Sequence, residues 1–176
     1  MEKYFKYYFL EDYLFKTVNK NFYENKYLTP EEFLAIIIWK RNASKTKVIK
    51  GINASGKSVK TITNEIYKST SREEKLQILL GIKNIGIALA SAVLTVLYPD
   101  EFTVFDYRAK NSLETLNIQI KGNPDNKPKD YFNYVDICEE QRKKYNLSLR
   151  DFDRTLWATD FYAGKGGLKE TAKKLK

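Results

Sequence analysis

The most apolar stretch of the chain, residues 85–98, has no charged side chain and ends at Pro99. It is shorter than the roughly 20 apolar residues that cross a bilayer, so we predict no membrane span. Proline cannot continue a helix, and the stretch therefore indicates a long apolar helix that stops there. Four of its residues are small enough for close helix packing: Ala88, Ala90, Ser91 and Ala92.

Helix start signals recur along the chain. A hydroxyl residue followed three positions later by an acidic residue is typical of an N-terminal cap, and this spacing occurs at Thr29, Ser71 and Ser148. The helix from Ser71 leads through the short turn "IKNIG" into the apolar helix. We predict an all-α fold of about eight helices that contains a helix-hairpin-helix motif. We expect a single domain over residues 1–176, with a basic tail at about 164–176.

Composition excludes several kinds of chemistry. The chain has no histidine and one cysteine, Cys138. Serine triads, most zinc sites and four-cysteine iron–sulfur clusters are therefore excluded, and we predict neither metal nor cofactor. A net charge of +9 favours a polyanionic partner such as nucleic acid, although a lysine-rich composition also arises in an AT-rich genome.

The first residues carry no sign of a targeting segment. Glu2, Glu11 and Asp12 interrupt the N-terminal aromatic residues, whereas a signal peptide has an unbroken apolar core. We expect a cytoplasmic protein that is monomeric and does not associate with membranes.

A longer segment carries a family resemblance. Residues 79–113, "LLGIKNIGIALASAVLTVLYPDEFTVFDYRAKNSL", resemble the helix-hairpin-helix core of the DNA glycosylase superfamily. The family's L-P-G-V-G hairpin aligns with "IKNIG", and its essential aspartate aligns with Asp106. The segments "IIIWKR" and "RDFDRTLW" resemble a bacterial branch of the same superfamily. The resemblance implies a DNA-repair hydrolase that removes a base from DNA.

The hairpin is the DNA-binding element that this resemblance implies. Asn84 replaces the usual glycine and tolerates a left-handed backbone better than most residues do, and Gly86 supplies a flexible position. The amides of Ile87 and Ala88, at the start of a helix, are expected to face a DNA phosphate. Lys83 is assigned to phosphate contact, with a solvated lysine as the alternative.

Asp106 is the catalytic residue that the resemblance implies. A carboxylate beside a flipped nucleoside stabilises the cationic sugar as the base leaves. The alternative is that Asp106 only caps the helix that follows it. Bifunctional members carry a Schiff-base lysine where this chain has Ala88. We therefore expect base release without strand cleavage.

Three aromatic residues are candidates for a pocket that stacks on the extruded base: Trp39, Tyr107 and Trp157. The alternative is that the tryptophans belong to the buried core of amphipathic helices. A non-catalytic DNA-binding protein with the same hairpin remains the second functional hypothesis.

A third and remote hypothesis is a nucleotide hydrolase. Residues 51–58, "GINASGKS", match the phosphate-binding loop pattern G-x-x-x-x-G-K-[ST]. That loop follows a buried strand, and the preceding "KTKVIK" is a poor one because of its alternating lysines. We predict instead that "GINASGKS" is a polar loop, that Ser58 caps the next helix, and that Lys57 contacts a DNA phosphate.

Overall fold

The computed structural model describes the chain from Tyr8 to Leu175, and this part contains helices, turns and loops but no strand. Eight of its α-helices have nine or more residues. The predicted all-α fold is confirmed. None of the described helices combines the length and the apolar character of a membrane-spanning segment.

The chain divides into two compact units, Met1–Glu101 and Phe102–Lys176, which we call the first and the second unit. The predicted helix-hairpin-helix segment lies in the first unit, and Asp106 lies in the second. The single domain that we expected stays a prediction.

The first unit is built from seven α-helices and two tighter or wider helical turns among its described residues. Their bounds are α1 (Leu10–Asp12), a π-helical turn (Tyr13–Val18), α2 (Asn19–Asn25), α3 (Pro30–Arg41), a 3-10 turn (Asn42–Ser44), α4 (Lys45–Ser55), α5 (Val59–Lys68), α6 (Arg72–Leu80) and α7 (Ile87–Leu97). The capping predictions at Thr29 and Ser71 are confirmed. The Thr29 hydroxyl accepts a hydrogen bond from the amide of Glu32 at 3.2 Å, and the Ser71 hydroxyl accepts one from the amide of Glu74 at 3.1 Å.

Helix α7, the predicted apolar helix, is almost entirely buried in the first unit. All of its residues except Ala88 are buried. Helices α3 and α6 both pack against it, and the small side chains of Ala90 and Ala92, which are completely buried, permit this close approach.

Helix α4 corrects one prediction. The stretch "GINASGKS" is not a polar loop over its whole length, because residues 51–55 are the last five residues of α4. The helix buries Val48, Gly51 and Ile52, whose spacing of three and four positions places them on one helical face. The lysines around them obscured this pattern. Only residues 56–58 form a connection, and Ser58 caps α5 as predicted, accepting from the amide of Thr61 at 3.0 Å.

The second unit contains α8 (Tyr107–Thr115), α9 (Pro128–Lys144), α10 (Leu149–Ala163), α11 (Leu168–Ala172) and a final 3-10 turn (Lys173–Leu175). Helix α10 packs against α8 and α9, and Ser148 caps it as predicted, accepting from the amide of Asp151 at 3.0 Å. The predicted basic tail is partly helical, since α11 lies within it, and its last residue is outside the described part of the chain.

The segment that leads into α8 is held by two buried tyrosines of α9. The Tyr131 hydroxyl donates to the carbonyl oxygen of Thr103 at 2.9 Å, and the Tyr134 hydroxyl donates to that of Val104 at 3.1 Å. Both side chains are fully buried. These contacts fix the backbone immediately before Asp106.

Candidate nucleic-acid interface

The turn between α6 and α7 has a defined hydrogen-bonded conformation. The amide of Ile82 donates to the carbonyl oxygen of Leu79 at 3.0 Å, and that of Ile85 donates to the carbonyl oxygen of Ile82 at 3.1 Å. Asn84 has a φ of 70°, so its predicted left-handed backbone is confirmed.

Gly86 does not serve the purpose that we expected. Its φ of −95° and ψ of 178° are extended values that any residue adopts, so the turn does not use the conformational freedom of glycine at this position. A Cβ built on Gly86 would also meet no atom within 4 Å. The missing side chain instead leaves open surface directly before the first turn of α7.

Helix α4 supports the hairpin through two contacts. The side-chain amide of Asn84 donates to the carbonyl oxygen of Lys47 at 2.8 Å. A Cβ added to Gly51 would overlap the carbonyl oxygen of Lys83 and lie 2.9 Å from its carbonyl carbon. Gly51 therefore allows the backbone of α4 to approach the backbone of the hairpin directly. Sequence reasoning assigned this glycine to a nucleotide-binding pattern and missed its packing role.

The two segments that meet here, α4 and the hairpin, carry exposed positive charge. Lys45, Lys47 and Lys50 of α4 and Lys83 of the hairpin are exposed, and none of them forms an ion pair with a described residue. We call Lys47, Lys50, Lys83, Asn84 and Gly86 the hairpin surface. Asn84 and Gly86 are also exposed, so the hairpin is open to solvent beside these lysines.

The first turn of α7 contributes backbone donors beside this surface. The amides of Ile87 and Ala88 lie where a helix offers no acceptor of its own. The Ile87 side chain is buried and that of Ala88 is half-buried. The predicted phosphate contact of these residues would therefore use the backbone rather than the side chains.

Lys57 already has an acidic partner. Its ammonium group lies 2.8 and 2.7 Å from the two carboxylate oxygens of Glu65. The phosphate contact assigned to Lys57 would have to compete with this exposed ion pair. Because residues 51–55 are helical and no strand precedes them in the described chain, the surroundings that a phosphate-binding loop requires are missing as well.

Trp39 is half-buried in the first unit and packs edge-on against Phe15, with ring centroids 5.8 Å apart. This contact favours the structural alternative for Trp39 over a role in a base pocket. Tyr107 and Trp157, the other two aromatic candidates, belong to the second unit.

Asp106 is the N-cap of α8, as predicted. Its carboxylate accepts a hydrogen bond from the amide of Arg108 at 2.9 Å, and the residue is partly buried. The capping contact and the buried segment before it hold the carboxylate at a defined place. A role in catalysis stays a prediction.

Arg108 brings the two aromatic candidates of the second unit together. The central carbon of its guanidinium group lies 5.1 Å from the ring centroid of Tyr107, 5.7 Å from that of Trp157 and 5.5 Å from that of Phe161. We call these four residues the aromatic platform. Sequence reasoning did not assign Arg108 or Phe161 to a site. The available signal was the spacing of Trp157 and Phe161, one helical turn apart on α10.

A buried carboxylate, that of Asp160, holds Arg108 of the platform in place. Asp160 is 5 % exposed, and its two oxygens accept from the Arg108 guanidinium at 3.0 Å and from the side-chain amide of Asn111 at 3.3 Å. Trp157 remains 43 % exposed, so the alternative that it belongs to the buried core does not hold for this residue.

Two other features of the second unit carry no predicted site residue. An open cavity of about 410 Å³ lies at the end of α8, lined by Glu114 and residues 117–120. The single cysteine, Cys138, is buried, and burial raises the pKa of its thiol well above the ordinary value. Among the described residues, no group of three or more potential metal ligands comes together.

Comparison with family models, with curated proteins and with solved structures gives no match to this chain.

Proposed function

We propose that this chain binds the sugar-phosphate backbone of DNA through the hairpin surface. One observation carries the proposal: α4 holds the hairpin by the contacts of Gly51 and Asn84, and both segments carry exposed lysines that form no ion pair with the residues that the structure describes. A rigid turn with backbone donors and nearby ammonium groups suits phosphate oxygens.

Binding of this kind is independent of base sequence and depends strongly on salt. Each lysine that neutralises a phosphate releases counterions, so the affinity falls as the salt concentration rises. The net charge of +9 adds a long-range attraction to DNA.

The test compares Lys83→Ala and Lys47→Ala with Lys68→Ala. Lys68 is an exposed lysine at the end of α5, before α6 begins, whereas the hairpin follows the other end of α6, about 13 Å along its axis. Binding to a labelled duplex is measured by fluorescence anisotropy at several salt concentrations. We expect each hairpin-surface variant to reduce the slope of log affinity against log salt by about 1, and the control to leave it unchanged. Equal effects of all three variants would mean that the positive charge acts without a defined site.

A second function, base excision, is favoured by the position of Asp106. Its carboxylate is fixed at the start of α8 and remains partly exposed beside Tyr107, which is 61 % exposed. We propose a monofunctional DNA glycosylase in which Asp106 stabilises the positive charge that develops on the sugar as the base departs. Since Ala88 stands at the position of the Schiff-base lysine, the product is an abasic site in an intact strand.

The base-excision proposal is tested with Asp106→Asn. Asparagine is as good an N-cap as aspartate, so this variant keeps α8 capped while it removes the negative charge. Oligonucleotides with oxidised, alkylated, deaminated and mismatched bases are incubated with each protein, and abasic sites are revealed by alkaline cleavage. We expect base release by the wild type and at least a hundredfold slower release by the variant. If the variant is equally active, Asp106 is not catalytic. DNA binding without release on the whole panel would favour the non-catalytic alternative.

A further inference from the structure

The two aromatic rings on α10 are arranged as an exposed stack. The ring centroids of Trp157 and Phe161 are 5.0 Å apart, and their planes differ by 12°. Trp157 is 43 % exposed and Phe161 is 42 % exposed. Most of the other ring pairs in the described chain are edge-on or tilted, as is common in protein interiors. A near-parallel pair that remains this exposed offers flat surface on which another planar ring can stack.

The cation beside this stack is held in place. Arg108 approaches both rings, and its side chain is 25 % exposed, while the Asp160 side chain that pairs with it is 6 % exposed. The guanidinium plane is therefore preorganised by a buried partner, and little side-chain entropy remains to be lost when a ligand binds. Because Asp160 neutralises Arg108, a ligand would bind to the platform mainly by stacking on its rings rather than by attraction to a net charge.

Positive charge follows the platform residues along the chain. Lys165 follows α10, and Lys169 lies in α11; both are exposed, and neither pairs with a described acidic group. A ligand that combines a flat ring with a nearby negative group would use both features. A nucleotide has this combination, but its base is free to stack on protein only where it is unpaired, because the bases of a duplex already stack on one another.

We propose that the aromatic platform binds unpaired nucleotides of single-stranded nucleic acid by stacking a base against Trp157 and Phe161. This deepens the DNA-binding function proposed above and rests on it, since it names an unpaired strand as the preferred ligand. The platform is connected to the candidate catalytic residue, because the amide of Arg108 donates to Asp106. A base on the platform would accordingly lie near the start of α8.

The test uses the two tryptophans of the chain. In a Trp39→Phe protein, Trp157 is the remaining tryptophan, so its emission reports on the platform alone. This protein is titrated with a thymidine oligonucleotide, with an abasic oligonucleotide of the same length and with a duplex. We expect quenching of Trp157 by the thymidine strand and little quenching by the abasic strand, which has the phosphates without the bases. Phe161→Leu in the Trp39→Phe background should weaken binding of the thymidine strand by about tenfold.

Tyr145→Leu is the matched control. Tyr145 is 54 % exposed in the same unit and also stacks on a neighbour, with its ring centroid 6.0 Å from that of Phe152, but it is not part of the platform. We expect this variant to bind the thymidine strand as tightly as its parent does. Equal losses in Phe161→Leu and Tyr145→Leu would overturn the assignment to the platform.

The remaining outcomes separate this proposal from the hairpin proposal. Equal quenching by the abasic strand would overturn base stacking, because phosphate contact alone would then explain the signal. Salt-dependent duplex binding that requires Lys83, without quenching of Trp157 by any strand, would overturn the platform and leave the hairpin surface standing. A change in Trp157 emission with protein concentration alone would show that a second copy of the chain covers the platform, and would also overturn the proposal.

Discussion

Replacing Gly51 with alanine tests the contact between α4 and the hairpin, because the contact decides whether the substitution stabilises or destabilises the protein. Helix propensity alone predicts that Gly51→Ala stabilises the protein by about 1 kcal/mol. The structure predicts the opposite. The new Cβ would overlap the carbonyl oxygen of Lys83 and lie 2.9 Å from its carbonyl carbon, whereas two carbon atoms prefer a separation of about 3.5 Å or more. The carbon–carbon contact alone requires the two backbones to separate by about 0.6 Å, and the overlap with the oxygen requires a larger separation.

The expected loss follows from the kind of atoms that collide. A flexible side chain could rotate away, but a carbonyl group moves only with its backbone, so we place the overpacking cost near 3 kcal/mol, the upper end of the usual range. After subtraction of the propensity gain, Gly51→Ala should lower the free energy of unfolding by about 2 kcal/mol. Urea unfolding at 25 °C should then show a midpoint about 1 M lower, for a typical slope of about 2 kcal/mol per molar urea.

Gly81→Ala is the control for this experiment. Gly81 has a right-handed helical backbone with a φ of −67°, and a Cβ there would lie 3.5 Å from the carbonyl oxygen of Gln77 and 3.6 Å from that of Ile78, which are ordinary contacts. We expect its stability to stay within about 0.5 kcal/mol of the wild type. If Gly51→Ala is as stable as the wild type or more stable, α4 does not approach the hairpin as closely as described, and the support that we assign to it is wrong.

Three further predictions concern stability. Burial raises the pKa of the Cys138 thiol, so the unfolded chain loses this proton at about pH 8.5 while the folded chain keeps it. Relative to Cys138→Ala, the free energy of unfolding of the wild type should therefore fall by about 1.4 kcal/mol per pH unit above that value, as measured by unfolding at several pH values. A difference that does not depend on pH would contradict this. Asp160→Asn, which leaves Arg108 without its charged partner, should cost about 2 kcal/mol in urea unfolding, and an unchanged midpoint would show that the pair is not structural. Thr29→Ala removes half of the capping box with Glu32 and should lower stability by about 1 kcal/mol, seen as a lower melting temperature; an unchanged melting temperature would mean that the box contributes little.

The helix caps were the most predictable part of the fold. Five predicted cap residues each accept a hydrogen bond from a backbone amide two or three positions later: Thr29, Ser58, Ser71, Asp106 and Ser148. A cap depends on a few consecutive residues, so the sequence around each one contains nearly all of the required information. The left-handed backbone of Asn84 was predictable for the same reason.

Helix α4 is the element for which prediction from neighbouring residues failed. Its lysines suggested a polar loop, yet the helix forms because Val48, Gly51 and Ile52 are buried against other parts of the first unit. Helical stability in a protein comes mainly from packing of one face rather than from propensity. The match to a nucleotide-binding pattern added to the error, because it assigned Gly51 and Lys57 to one motif. In the structure Gly51 contacts the hairpin backbone, whereas Lys57 pairs with Glu65.

The sequence by itself determined the helical class, the places where most helices begin and the burial of α7, because these follow from periodicity and from neighbouring residues. Only the tertiary structure decided the partners of the charged and aromatic side chains. Arg108 meets Asp160, which is 52 positions away, Asn84 meets Lys47, which is 37 positions away, and Trp157 stays exposed beside Phe161. Such contacts depend on how helices pack, and packing is set by the sum of many weak long-range contacts that no short stretch of sequence records.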